Sequence, residues 1–249
     1  MSKRVLYVTG EIAPFSETTA TAGVMRQLAE AIAESEERDY EARVIMPRYG
    51  TVSERRNRLH EVIRLSGAVI HAGDKKDTLK VKVASIPGLR LQVYFMDSPV
   101  FLKRKGIWED KKTGKLFEDN LERALFFARA ALSTAEKLNW AAEIVHASGW
   151  ASALLPVLLK TEGAGKEVFA KSKVIYTPDD APTETIITNA EALGLPADLE
   201  GVEIREAGRR YADAVAATED VPDGGVDLSG DDAAERTEAL YQELSEVAA

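Results

Sequence analysis

The stretch that most constrains this chain is residues 142–160, AEIVHASGWASALLPVLLK. Glu143-Ile144-Val145 is a short apolar, β-branched run that reads as a buried strand, and residues 151–160 read as an amphipathic helix. His146, Ser148, Gly149 and Trp150 stand in the turn between them. A strand that feeds a helix through a tight turn is the unit of a parallel sheet. In an open doubly wound sheet such turns lie at the carboxyl ends of the strands, where ligands bind. A site in this protein should border that turn.

The same grammar recurs along the chain. Val5 to Thr9 is a continuous apolar run closed by Gly10, and a helix with Val24, Leu28, Ala31 and Ile32 on one face follows. Ala42 to Met46 is the next strand, stopped by Pro47. Leu79, Val81 and Val83, then Leu89, Leu91, Val93 and Phe95, predict half-exposed strands around a Pro87-Gly88 turn, a small hairpin insertion on one sheet edge. Residues 103–115, KRKGIWEDKKTGK, read as a solvated loop. Asp119 heads a long helix with Leu121, Leu125, Ala128, Leu132 and Ala135 on one face, a carboxylate at its positive end. Lys173 to Tyr176 is a further strand, capped by Pro178-Asp179-Asp180. Residues 206–217 read as helix and then strand, 221–231 as an Asp- and Gly-rich linker and 232–249 as a terminal helix. The expected fold is α/β, a doubly wound parallel sheet over residues 1–220. The runs at Val5, Val44, Ile144 and Val174 should form four parallel strands of one sheet, with helices on both faces.

Composition narrows the functional classes. A formal charge of -9 argues against nucleic acid, whose binding rests on neutralising phosphates. With no cysteine there is neither a disulfide framework nor a thiolate metal site. No apolar run approaches the roughly 20 residues that span a bilayer, and the N-terminus lacks the apolar core and cleavage site of a signal peptide. A cytoplasmic protein that does not engage membranes is the expectation.

Several constellations fall short of chemistry. His60, His71 and His146 lack ligand spacing, so no metal is expected. Ser148 lacks the glycine frame of a nucleophile elbow, and Gly10 alone does not make a dinucleotide fingerprint, so no cofactor is expected. Arg55, Arg56, Arg58 and Arg64 read as a solvated face.

The residues around these elements resemble a known family. His146 to Trp150 is similar to the H-x-H-D-W segment of bacterial glycogen and plant starch synthases, followed here too by a helix that leads into Leu155-Pro156. RVLYVTGEIAPF at residues 4–15 resembles that family's first strand and E-x-x-P-F loop, and RVIMPRYG at 43–50 its second strand and P-x-Y-G turn. DNLERALFFARAAL at 119–132 resembles its D-N-x-x-R-F helix. The likeness covers roughly residues 1–180 and thins toward 218. It implies one Rossmann-like half of a GT-B glycosyltransferase, the half on the glucan side of the cleft. It also implies a role in α-1,4-glucan synthesis, with ADP-glucose and an α-glucan as partners. The half that binds most of the nucleotide sugar has no counterpart in this sequence.

Departures from the pattern bear on the site. Where the family carries K-T-G-G, this chain has Glu17-Thr18-Thr19-Ala20. One unit charge at roughly 4 Å and an effective dielectric of about 20 is worth about 4 kcal/mol, so Glu17 in place of the diphosphate lysine predicts ADP-glucose affinity no tighter than millimolar. Ser148 and Gly149 replace the second histidine and the aspartate of H-x-H-D-W. The resemblance leaves Glu11, Thr18, Tyr49, His146 and Trp150 as substrate-binding candidates, with His146 the catalytic candidate. Three of them have a structural alternative: Glu11 ordering its own loop, His146 satisfied by a neighbouring group, Trp150 in the core. Four of them, Glu11, Tyr49, His146 and Trp150, should line a concave face, covered by a second copy, by a partner chain or by the chain's own residues 178–249. Two functions follow, a glycosyltransferase domain or a non-catalytic module that binds glucan or regulates a synthase.

Overall fold

A computed structural model of the chain describes residues 3–35 and 40–247. In chain order the elements are β1 (Lys3–Thr9), α1 (Ala20–Glu34), β2 (Tyr40–Pro47), β3 (His60–Glu61), β4 (Val69–Ala72), β5 (Lys75–Thr78), β6 (Lys80–Ser85) and β7 (Gln92–Asp97). They continue with α2 (Asn120–Leu138), β8 (Ile144–Ser148), α3 (Leu155–Lys160), β9 (Lys173–Thr177), α4 (Ile204–Tyr211), β10 (Ala214–Ala217), β11 (Val226–Asp227) and α5 (Ala233–Val247).

One nine-stranded sheet runs in the order β11-β10-β9-β8-β1-β2-β7-β6-β3, and β4 and β5 form a separate antiparallel pair. From β11 through β7 every described pairing is parallel; β6 and β3 are antiparallel additions. The four strands expected at Val5, Val44, Ile144 and Val174 are β1, β2, β8 and β9, which are contiguous. Their buried runs lack polar alternation because both faces are covered.

The chain grows outward from β1 in one direction to β2 and β7, and then from β8 in the other direction to β9, β10 and β11. Right-handed crossovers in opposite directions put helices on opposite faces. Thus α1 and α5 pack together, while α2, α3 and α4 pack together. The reversal falls between β1 and β8, and their carboxyl ends, Thr9 and Ser148, are register partners. That is the crevice where doubly wound sheets bind ligands.

Several sequence expectations are corrected. The hairpin around Pro87-Gly88 forms, yet β7 is an inner strand paired with β2, and Val93 to Asp97 are all buried. Leu91, Val93 and Phe95 alternate with residues of which Tyr94 and Met96 are themselves apolar, so both faces can be covered. On α1 the buried stripe is Met25, Leu28, Ala29 and Ile32, while Ala31 is exposed. The loop read as solvated buries Ile107 and Trp108, and the Trp108 carbonyl accepts the Asn120 side-chain amide at 2.9 Å. Asp119 makes no capping bond at the head of α2, because its carboxylate is taken by the Arg104 guanidinium. The helix after Trp150 starts as a 3-10 turn over Trp150–Ser152 and becomes α-helical only at Leu155. Pro156 suits that new first turn, where its missing N–H costs nothing.

Residues 221–231, expected as a linker, carry β11 and bury Leu228. The terminal helix lies at 233–247, and residues 248–249 of its expected span fall outside those described. Tyr241, on its inner face, is fully buried.

Candidate functional site

The carboxyl ends of β1, β8 and β9 meet through backbone hydrogen bonds that continue the ladders past their last residues. Gly10 N–H donates to the Ser148 carbonyl at 2.8 Å, and Gly149 N–H donates to the Thr177 carbonyl at 2.9 Å. Gly149 has φ +80, a left-handed conformation that turns the chain from β8 toward Trp150 and that glycine adopts freely. The turn is thereby held against both neighbouring strands.

Glu11 follows β1 and folds back on its own loop. Its carboxylate accepts from the hydroxyls of Ser16, Thr18 (2.7 Å) and Thr19 (3.1 Å), and from the N–H groups of Thr18 (3.2 Å) and Thr19 (3.1 Å). Five donors occupy its lone pairs, and its charge sits at the N-terminus of α1, where the helix dipole favours it. Thr18 is exposed with its hydroxyl turned inward to Glu11, and Glu17 faces solvent.

His146 is fully buried on the face of the sheet that α5 covers. Nδ1 lies 2.6 Å from the Tyr241 hydroxyl and Nε2 lies 2.8 Å from the Thr177 hydroxyl. The Tyr241 hydroxyl in turn donates to Tyr7 at 3.2 Å. That chain assigns the imidazole proton to Nδ1, with Nε2 accepting from Thr177. Burial pushes the imidazole down to about 3, so it stays neutral throughout the physiological range. Ser148 is equally buried, and its hydroxyl donates to Thr9 at 2.8 Å.

Trp150 is 1 % exposed, with the Arg123 guanidinium 5.3 Å over its ring. Arg123, also buried, donates through Nε to the Phe101 carbonyl at 2.7 Å and through Nη1 to Asn120 at 2.6 Å. Tyr49 is fully buried, and burial pushes its phenol well above the usual value. The expected concave face lined by Glu11, Tyr49, His146 and Trp150 is therefore not open. Residues from the chain's own last third close much of it: Tyr241 covers His146, and Asp179 closes on the 149–150 turn.

Asp179 is the residue that sequence reading missed. Its Oδ2 accepts the Trp150 N–H at 3.0 Å, and its Oδ1 lies 3.4 Å from Arg205 Nη1. Arg205 also donates to the carbonyls of Asp179, Ala181 and Thr183, which fastens the segment after β9. Burial raises the Asp179 carboxyl to about 6, against the opposing pull of the Trp150 N–H and Arg205. In sequence Asp179 read only as part of a strand-ending cap. Its one visible signal was a carboxylate pair directly after a buried strand. A small pocket of about 180 Å³ opens beside it, lined also by Ala20, Thr21, Arg209 and Thr218. Among the described residues no group of histidines and carboxylates is placed to hold a metal ion.

A family model described as the starch synthase catalytic domain matches residues 4–219. The chain belongs to the starch synthase catalytic domain family. A glycogen synthase of Chlorobium phaeobacteroides is 38% identical over 174 residues, which cover 70% of this chain and 35% of that protein. A glycogen synthase of Chlorobaculum tepidum is 33% identical over 230 residues, 87% of this chain and 46% of that protein. The chain thus spans less than half the length of these relatives. Among solved structures, the catalytic domain of starch synthase IV from Arabidopsis thaliana, bound to ADP and acarbose, superposes with a TM-score of 0.69 at 19% identity. It covers 87% of this chain and 45% of that one, and it supports the GT-B half as a fold. No described helix is long and apolar enough to cross a membrane.

Proposed function

We propose that this chain serves in α-1,4-glucan synthesis as the glucan-side half of a glycosyltransferase, with transfer requiring a nucleotide-binding half. The observation that carries the reading is the family match over residues 4–219, which includes the turn at the carboxyl end of β8, beside the switch point between β1 and β8. Relatives of more than twice this span are glycogen synthases. The Arabidopsis domain of the same fold holds ADP and acarbose, which makes ADP-glucose and an α-glucan the ligands to test here.

Within this reading the candidate residues divide by role. His146, neutral and held on both nitrogens, shapes the interior beneath the turn. Trp150 supports the turn from inside. Glu11 and Thr18 set the loop that borders the crevice, and Tyr49 is buried in the core just past β2. Glu17, solvent-facing on that loop, repels a diphosphate, so this loop would not supply the diphosphate contact.

Glucose transfer from ADP-glucose to glycogen tests the proposal, measured for the chain alone and with a separately expressed nucleotide-binding half of a related synthase. The expected result is negligible transfer alone and transfer on mixing. Glucan binding without transfer in either case would replace this reading by that of a non-catalytic glucan-binding or regulatory module.

A further inference from the structure

The Asp179 carboxylate fills the space beside Gly149 where a side chain at that position would stand. A Cβ built on Gly149 would stand 2.9 Å from Asp179 Oδ2, closer than side-chain atoms pack. Position 149 is thus a glycine for two reasons, its φ of +80 and a carboxylate already filling the room beside it. The H-x-H-D-W segment that 146–150 resembles carries its carboxylate at position 149. Here the carboxylate comes instead from the end of β9, 30 residues later in sequence.

This placement is costly to the fold. The Asp179 side chain is 3 % exposed, and its ion pair with Arg205 is long at 3.4 Å. The Arg205 guanidinium on α4 favours the charged form, while Glu11 beyond β1 and the adjacent Asp180 oppose it. An asparagine could accept the Trp150 N–H equally well without burying a charge. A charge kept where a neutral amide would serve the structure better points to a role outside folding. The pocket beside it, about 180 Å³, has room for roughly six waters, about the bulk of one sugar ring. Carboxylate oxygens are acceptors only, so what they recognise there is a donor such as a sugar hydroxyl.

We propose that Asp179 is the relocated carboxylate of this site: seated beside Gly149, it fixes the 148–150 turn through the Trp150 N–H and accepts a hydroxyl of a glucan end in the adjoining pocket. The ligand half of this inference rests on the glucan reading above; the positioning half does not.

Two measurements separate them. Asp179→Asn keeps the shape and an acceptor for Trp150, so above about pH 6 its thermal midpoint should equal or exceed that of the unaltered chain. Its affinity for malto-oligosaccharide, by calorimetry, should nevertheless fall at least tenfold, and affinity in the unaltered chain should fall as pH drops below about 6. Unchanged affinity in Asp179→Asn, with the unaltered chain binding normally, overturns the ligand half and leaves the glucan reading standing. No binding by the unaltered chain overturns both. For positioning, Asp179→Ala, which removes the acceptor, should lower the midpoint and speed hydrogen exchange at the Trp150 amide, while Asp179→Asn, which keeps an acceptor, should leave that exchange unchanged. Unchanged exchange at Trp150 in Asp179→Ala would overturn the positioning role.

Discussion

Glu11 and His146 look equivalent in sequence, each a polar residue at or just past the end of a central strand, yet they are satisfied in opposite ways. Glu11 is satisfied by residues five to eight positions away, Ser16, Thr18 and Thr19, so its environment is a property of one loop. His146 is satisfied by Thr177 and by Tyr241, 31 and 95 residues away, on a neighbouring strand and on the terminal helix. The hydrogen bonds that hold the Glu11 carboxylate all come from within its loop. The interior of β8 cannot be complete until α5 docks. This difference makes the Glu11 region robust to distant changes and the His146 region dependent on them.

Acid should break the comparison most strongly. His146 is held at about 3 in the folded chain, below the ordinary histidine value of about 6.5, so the unfolded chain binds the extra proton first. Its contribution to stability is complete above pH 6.5 and is lost as pH falls toward 3, a total of about 4–5 kcal/mol. Asp179, raised by burial, acts in the opposite sense between about pH 4 and 6, so that stability attributable to it declines as pH rises. Between pH 7 and 4 these two contributions nearly offset, so urea unfolding should show stability rising with acid in His146→Gln and falling steeply in Asp179→Asn. A pH profile indifferent to both substitutions would contradict the buried environments described.

Next in size is Tyr241→Phe, which keeps the ring and removes the hydroxyl between His146 and Tyr7. Leaving the buried Nδ1–H without an acceptor should cost about 1–3 kcal/mol. Because the hydroxyl bridges α5 to β1 and β8, hydrogen exchange should also accelerate along α5. A loss confined to α5 without change at β8 would show the two to be less coupled than the geometry implies.

The loop should respond more mildly. Glu11→Gln retains two acceptor lone pairs for donors that solvent can partly reach, and the expected loss is about 1–2 kcal/mol, with faster exchange at the Thr18 and Thr19 amides. Smallest is Thr18→Ala, whose exposed position lets water replace the lost bond, at about 0.5–1 kcal/mol by urea denaturation. Neither change should alter exchange in α5. If either does, the loop is not the self-contained unit that its hydrogen bonds describe.

Much of the fold was legible because it rests on local patterns. The apolar runs at Val5, Val44, Ile144 and Val174 predicted the central strands, since a strand covered on both faces must be apolar on both. Less legible were elements whose burial depends on distant partners. β7 read as half-exposed because Arg90 and Gln92 precede an apolar stretch that only β2 and the flanking helices cover. Trp108 read as loop because nothing nearby in sequence announces that Asn120 will take its carbonyl.

The site divides along the same line. The sequence by itself determined that a turn at 146–150 would follow a buried strand, that glycine would stand at its bend, and that Glu17 would place a negative charge on the first loop. These depend on residue chemistry and short spacing, which the chain carries wherever it folds. Only the tertiary structure decided that His146 would be neutral and enclosed, that Trp150 would lie beneath Arg123, and that a carboxylate from residue 179 would enter the room left by Gly149. Protonation state and side-chain access follow from the dielectric and the neighbours around a group. Those are supplied by α5, α2 and the end of β9, which reach the turn only through the fold.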